Sequence, residues 1–268
     1  MNTSLKYYFR TLVWIWVFMV LVLFIVEIRY KYVLKYFNLL SHYVLFLPSL
    51  EPANSIQEGQ TQLYNHGVAS GLGVIPKKQC DLVKRQVIEY EKSAPEDSYK
   101  SINTNYRRSD LFVPLEGAIL DTVKQMLNNW KSIQSPLYHP QSKIVEVACF
   151  ISLPGCKGQT IHNDTNDDIQ HKDAISFGVF LQDVDKKLSP LAVESNASSY
   201  SWHCVTGKKG DVYGWSAKVH HGGGANRSTK PRYLFYITIV YPPLQDIDVG
   251  EYSLLKQYGN GIMVKDIV

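Results

Sequence analysis

Histidine and carboxylate side chains recur in this sequence at spacings that suit a metal ion. His162-Asn163-Asp164 sets an imidazole and a carboxylate two residues apart. On an extended strand, residues i and i+2 face the same side, so both can reach one ion. His171-Lys172-Asp173 repeats the spacing, and on pattern alone the two pairs are equal. His221 stands 221 − 162 = 59 residues beyond the first of these histidines, directly after His220. A His-x-Asp pair with one distal His is the ligand set of a two-histidine, one-carboxylate ferrous site. Three such ligands fill one face of an octahedron and leave the other open to a bidentate cosubstrate and oxygen. Arg232 follows His221 by 232 − 221 = 11 residues, enough chain to enter the next strand and return beside the metal. A guanidinium there can grip a carboxylate with two charge-assisted hydrogen bonds.

The stretch between them is Gly222-Gly223-Gly224-Ala225-Asn226-Arg227-Ser228-Thr229-Lys230-Pro231. Glycines remove side chains next to the site and permit unusual backbone angles. Asn226 and Ser228 can steady the turn or help bind the cosubstrate. His220, on the opposite face of a strand from His221, competes with it as the distal ligand.

These residues need elements to hold them. Pro76 opens a helix to about Lys92, with Cys80, Val83, Val87 and Tyr90 on its buried face. Ser93–Asp110 reads as loop. A second helix over Leu115–Ile133 shows Ile119, Val123, Met126, Leu127 and Trp130 on one side. After Pro140 the pattern turns to strands: Lys143–Ser152, Ile175–Gln182, Ser201–Val205, Asp211–Ala217 and Tyr233–Tyr241. Two helices followed by many strands predict an α+β domain on an antiparallel sandwich.

The stretch from Gly67 to Tyr241 resembles the phytanoyl-CoA dioxygenase family of iron(II)/2-oxoglutarate oxygenases. The resemblance rests on Pro154-Gly155 leading to Gln159-x-x-His162-x-Asp164, then Leu181-Gln182-Asp183-Val184 and Gly210-Asp211. It ends with His221-Gly222, Asn226, Ser228 and Arg232. It implies a double-stranded β-helix, a jelly-roll barrel with flanking helices. It implies iron held by His162, Asp164 and His221, favouring that pair over His171 and Asp173 through Gln159. It also implies 2-oxoglutarate bound by Arg232 with Asn226 and Ser228, with O2 as oxidant and ascorbate as an accessory reductant. The expected reaction is hydroxylation of a small-molecule or lipid-like substrate, with 2-oxoglutarate decarboxylated to succinate. Related halogenases lack the carboxylate ligand, and this chain keeps Asp164. It departs from the family at Ser189-Pro190-Leu191, where relatives often run Gly-Pro-Leu. A second departure is Asn196-Ala197-Ser198, where they often end in Gly-Ser-His.

Two other readings compete. One is a non-catalytic jelly-roll binding module that kept the ligands. The other is a prolyl-type protein hydroxylase, which would hold its cosubstrate with a lysine such as Lys230.

The 268 residues are 45% hydrophobic and carry a net charge of +4, with basic residues scattered. That supports one sizeable core and predicts no nucleic-acid partner; no protein partner is implied either. Residues 1–48 read as a membrane anchor. It would comprise a transmembrane helix over 7–28, built on the apolar run Leu12–Val26, and an amphipathic helix over 29–47. Residues 49–62 read as a linker and 63–268 as the dioxygenase-like domain. The expected location is a single-pass membrane protein. Arg29, Lys31 and Lys35 against Lys6 and Arg10 favour a cytosolic domain. A sequon at Asn163, where a glycan would block the site, points the same way. Of the four cysteines, Cys149 and Cys156 are near enough in sequence to pair, with reduced thiols the alternative.

Overall fold

The protein is described by a computed structural model that covers residues 44–99, 107–164, 173–195, 201–242 and 261–268. These residues belong to one compact unit, Leu40–Val268. Three helices carry their apolar residues at spacings of three and four. Helix α1 (Ile56–His66) starts at Ser55, whose Oγ accepts the Glu58 N–H at 3.1 Å, and stops at Gly67 in the left-handed conformation. Helix α2 (Lys77–Glu91) buries Cys80, Val83 and Val87. Helix α3 (Gly117–Ser132) buries Ile119, Val123, Met126, Leu127 and Trp130.

Ten described strands make two antiparallel sheets: β1 (Val68–Val74), β2 (Arg108–Phe112), β3 (Lys143–Ser152), β4 (Ala174–Phe180), β5 (Leu191–Ser195), β6 (Ser201–Val205), β7 (Asp211–Ser216), β8 (His221–Gly223), β9 (Arg232–Val240) and β10 (Ile262–Met263). The large sheet runs β1-β7-β4-β9-β3-β10, with β2 also on β3; the small sheet runs β6-β5-β8. One face of the large sheet, including Val147, Cys149, Phe177, Val179, Phe235 and Ile237, packs on the helices. The other, including Ala148, Phe180, Tyr213, Trp215, Leu234 and Tyr236, packs on Leu191, Val193 and Val205 of the small sheet. Strands β4 and β9 are buried on both faces, hence their nearly unbroken apolar sequence.

Three expectations change here. The first is the closed jelly-roll barrel: no ladder joins the two sheets, and no barrel closes. The reason lies at the edges of the small sheet, which irregular segments already occupy. Leu50 N donates to the Cys204 carbonyl and Cys204 N to that of Pro48, covering β6. His162 and His221 exchange both backbone hydrogen bonds, at 3.0 and 2.8 Å, covering β8. Neither edge is left for a strand of the large sheet.

The second is the membrane anchor. Among the described residues no helix is long and apolar enough to cross a membrane. The transmembrane helix expected over 7–28 lies outside the described residues, as does most of the amphipathic helix over 29–47. Residues 44–47, the end of that second helix, form a turn instead. Val44 is buried there against Ala192 and Cys204, and Lys186 Nζ donates to the Leu47 carbonyl at 2.6 Å. The single-pass membrane reading, and the membrane as partner and location, are therefore set aside.

The third concerns 49–62, read as a linker. Ser49 bridges to Cys204, and Ile56–His66 forms α1, with Leu63 wholly buried. The stretch reads as polar because only one narrow side of α1 faces the core.

Candidate metal centre

His162 and Asp164 lie on an extended segment after β3 that runs along the edge of β8. The segment is held by backbone hydrogen bonds from Gln159 N to Gly223 O (2.8 Å), His162 N to His221 O (3.0 Å) and Asp164 N to Ala217 O (2.8 Å). Gln159 adds a side-chain bond: its Oε1 accepts the Gly223 N–H at 2.7 Å. This pairing sets the two histidine rings 4.6 Å apart between centroids.

The second nitrogen of each ring is already employed. His162 Nδ1 donates to the Thr160 carbonyl at 2.8 Å, and His221 Nδ1 to the Val219 carbonyl at 2.9 Å. A carbonyl only accepts, so each Nδ1 carries the hydrogen and each Nε2 presents its lone pair. Both Nε2 atoms face one carboxylate: His162 Nε2 lies 3.7 Å from Asp164 Oδ1, and His221 Nε2 lies 3.5 Å from Asp164 Oδ2. One ligand atom from each of the three residues lies within 4.8 Å of the others. The His221 side chain is 6% exposed, against 37% for His162 and 40% for Asp164, so the group has one dry side and one open side. Burial lowers the His221 pKa, with the Asp164 carboxylate opposing that shift, which keeps the ring neutral and able to bind a cation.

The competing residues fall elsewhere. His220 points away, its Nδ1 2.9 Å from Glu194 Oε2. His171 lies outside the described residues, and Asp173 stands at the entrance to β4. Lys230 is exposed.

Arg232 opens β9 in the large sheet, although His221 sits in the small one, so the Gly224–Pro231 turn carries the chain from one layer to the other. Asn226 builds that turn. Its Nδ2 donates to the carbonyls of Ser152 (2.7 Å) and Lys230 (2.8 Å), and its Oδ1 accepts from Ser228 N (3.0 Å) and Ser228 Oγ (2.7 Å). Every hydrogen-bonding group of the Asn226 side chain is thus spent on the turn.

Arg232 is 1% exposed, and its Nη1 donates to the Ser189 carbonyl at 2.5 Å. Burial lowers the pKa of this guanidinium, with Tyr213 opposing the shift, yet an arginine stays charged at neutral pH. A row of rings joins this cation to the metal ligands: Tyr213 stacks on Trp215 at 5.5 Å, and Trp215 meets His221 at 5.9 Å. Gly178 makes room for the Tyr213 ring, which a β-carbon there would strike. Arg232 Nε, Tyr213 Oη and Trp215 Nε1 are buried without a hydrogen-bond partner among the described residues. Unpaired buried donors are costly, and several in one region mark a place for a polar ligand.

All four cysteines are free and buried, so Cys149 and Cys156 do not pair. Cys156 Sγ instead accepts from Arg108 Nη2 at 3.5 Å. Arg108, 2% exposed, was hidden in sequence at the end of a stretch read as loop. Its position directly before the apolar Leu111-Phe112 pair was the available signal for a strand.

No protein-family model matches the sequence, and no curated protein matches it. Solved structures do match in shape. EvdMO1 aligns with a TM-score of 0.55 at 13% identity over 70% of this chain, which spans 50% of EvdMO1. AviO1 from Streptomyces viridochromogenes Tue57 aligns at 0.52 and 12% identity over 74% of this chain and 100% of its own. The epimerase SnoN, in complex with Fe3+, alpha ketoglutarate and nogalamycin RO, aligns at 0.54 and 11% identity over 69% of this chain and 83% of its own. The fold is that of the non-haem Fe(II)/2-oxoglutarate oxygenase superfamily. The resemblance to one family within it, that of phytanoyl-CoA dioxygenase, is not narrowed further by these likenesses. Oxygenase fold and two-histidine, one-carboxylate triad together support catalytic dioxygenase activity.

Proposed function

We propose that this chain is an Fe(II)- and 2-oxoglutarate-dependent hydroxylase of a small molecule. His162, Asp164 and His221 hold the iron, and Arg232 takes the far carboxylate of 2-oxoglutarate. The observation that carries the reading is the convergence of two Nε2 lone pairs and one carboxylate, with both Nδ1 atoms tied to backbone carbonyls. Three ligands on one side leave the open positions that a bidentate 2-oxo acid and oxygen require. The donor set of mixed imidazole and carboxylate suits Fe(II), and retention of Asp164 favours hydroxylation over halogenation.

Iron, 2-oxoglutarate and O2 supply the oxidising power when bound, with ascorbate as the accessory reductant; the protein supplies position and dryness. His221 and the ring row beside it form the dry wall. Asn226 and Ser228 act through the turn that delivers Arg232 from the small sheet to the large one. A small-molecule substrate is favoured by SnoN, whose complex contains nogalamycin RO with Fe3+ and alpha ketoglutarate. A protein-hydroxylase reading would need Lys230 inside the site, and that residue is exposed.

The test is anaerobic titration of the Fe(II)-loaded protein with 2-oxoglutarate, followed by oxygen exposure with a panel of small molecules. A visible metal-to-ligand charge-transfer band and succinate release stimulated by a panel member are expected. Absence of the band at millimolar 2-oxoglutarate would defeat the proposal.

A further inference from the structure

Arg108 and Arg232 are the two buried arginines of the interior, and both meet one residue. Arg232 Nη1 donates to the Ser189 carbonyl at 2.5 Å, and Arg108 Nη2 donates to the Ser189 hydroxyl at 3.2 Å. Ser189 itself is fully buried and has φ of 50°, a left-handed backbone that only glycine adopts freely. It stands where the resembling family often has glycine. Here the serine bears the backbone strain, and its hydroxyl accepts from Arg108 and donates to the Gly224 carbonyl at 2.6 Å. Strain held at a buried polar residue is a recognised mark of a functional position.

The hydrogen bonds of Arg108 are lopsided. Its strongest acceptors, the carbonyls of Gly224 (2.6 Å) and Lys157 (3.1 Å), both meet Nη2, and so do Cys156 Sγ, Ser189 Oγ and Gly223 O. A guanidinium carries five N–H groups, two of them on Nη2. The other three, on Nε and Nη1, have no acceptor among the described residues. Arg232 Nε is in the same condition. Gly223 is required beside this group, since a β-carbon there would collide with Arg108 Nη1. Two buried like charges with idle donors are costly unless an anion lies between or beside them.

We propose that Arg108 and Arg232, joined through Ser189, form a paired-guanidinium site for one carboxylate. Resting on the reading above, this makes Arg108 a second residue that binds the far carboxylate of 2-oxoglutarate. The pair selects a dicarboxylic 2-oxo acid over a monocarboxylic one, because only the former brings a charge to the arginines. Arg108 also ties the Gly223-Gly224 segment to Lys157, so a change in overall affinity alone would not separate binding from support. The preference between two acids does.

The experiment compares 2-oxoglutarate with 2-oxobutanoate, which keeps the chelating end and lacks the far carboxylate. The full chain, loaded with Fe(II) under anaerobic conditions, is titrated with each acid, and iron affinity is measured without either. Arg108→Gln should cut the preference for 2-oxoglutarate by about tenfold or more, the effect of losing one charged hydrogen-bond partner. Its midpoint for 2-oxobutanoate and its iron affinity should hold. Arg108→Lys should retain part of the preference. Ser189→Gly suits the backbone angle, so it folds, and it should lower the preference severalfold by releasing Arg108. An unchanged ratio in Arg108→Gln, whether both affinities hold or both weaken together, would assign Arg108 to structure alone and overturn the proposal. A wild-type protein that binds neither acid overturns the oxygenase reading and this inference with it. A wild-type protein that binds both, with an unchanged ratio in the variant, overturns only this one.

Discussion

His162 and His221 present the same atom for the same reason: each Nδ1 is tied to a backbone carbonyl two residues earlier, at Thr160 and Val219. Both rings are therefore set before any ion arrives, and removing either leaves two ligands. His162→Ala or His221→Ala should abolish Fe(II) binding by equilibrium dialysis. His220→Ala, which loses the contact with Glu194 on the other face, should leave most of it. Retained iron binding in His162→Ala would show that the ligand set was misassigned, with His171 the first replacement to examine. At this scale the sequence displayed the residue types and their spacing and no more. It could not separate His162 from His171, or His221 from His220, without the resemblance. The neighbour of each ring nitrogen depends on the pairing of two segments 59 residues apart (221 − 162), which no local pattern records.

At the scale of elements, the turn between β8 and β9 decides whether Arg232 reaches the interior. Asn226 holds it with four hydrogen bonds while only 1% exposed. Asn226→Ala would leave the Ser152 and Lys230 carbonyls and the Ser228 N–H without this partner. At about 1–3 kcal/mol for a buried group left unsatisfied, a loss of at least about 2 kcal/mol is expected. Urea unfolding measures it, and a change below about 0.5 kcal/mol, the scale of an ordinary surface substitution, would contradict this role. The helices and long strands were legible because their apolar residues repeat at three to four, or fill whole strands such as β9. Strand β2 was not, since Arg108 and Asp110 read as polar loop residues. Both are buried, and Asp110 accepts from Tyr236 Oη at 3.0 Å, a partner far along the chain. The linker over 49–62 was misread for a related reason: α1 shows the core little beyond Gly59 and Leu63.

For the molecule as a whole, the metal site joins parts that are otherwise separate. His162 and Asp164 belong to a segment leaving the large sheet, and His221 belongs to the small sheet, so an ion held by all three clamps the two layers. Binding that favours the folded state adds RT ln(1 + [L]/Kd), about 2.7 kcal/mol at a hundredfold excess over Kd. For a domain of this size that corresponds to roughly 5–10 °C in Tm. Anaerobic thermal unfolding with and without Fe(II) measures this, and the gain should vanish in His221→Ala. An equal gain in that variant would mean the stabilising ion binds elsewhere.

The sequence by itself determined the class of chemistry and the raw elements. Mixed imidazole and carboxylate ligands, a distant arginine and a helices-then-strands order can be read in one dimension because they depend on residue type and local period. Only the tertiary structure decided how those elements close. The open pair of sheets follows from irregular segments taking the edges of β6 and β8, and edges are occupied through contacts across more than a hundred residues, such as Leu50 N on the Cys204 carbonyl. The anchor reading rested on apolar length alone, whereas the described residues nearest to it, 44–50, are bound to the small sheet. The second buried arginine was equally out of reach. A guanidinium becomes an anion site only when folding strips it of water and of counterions, and neither loss is written in the residues on either side of it.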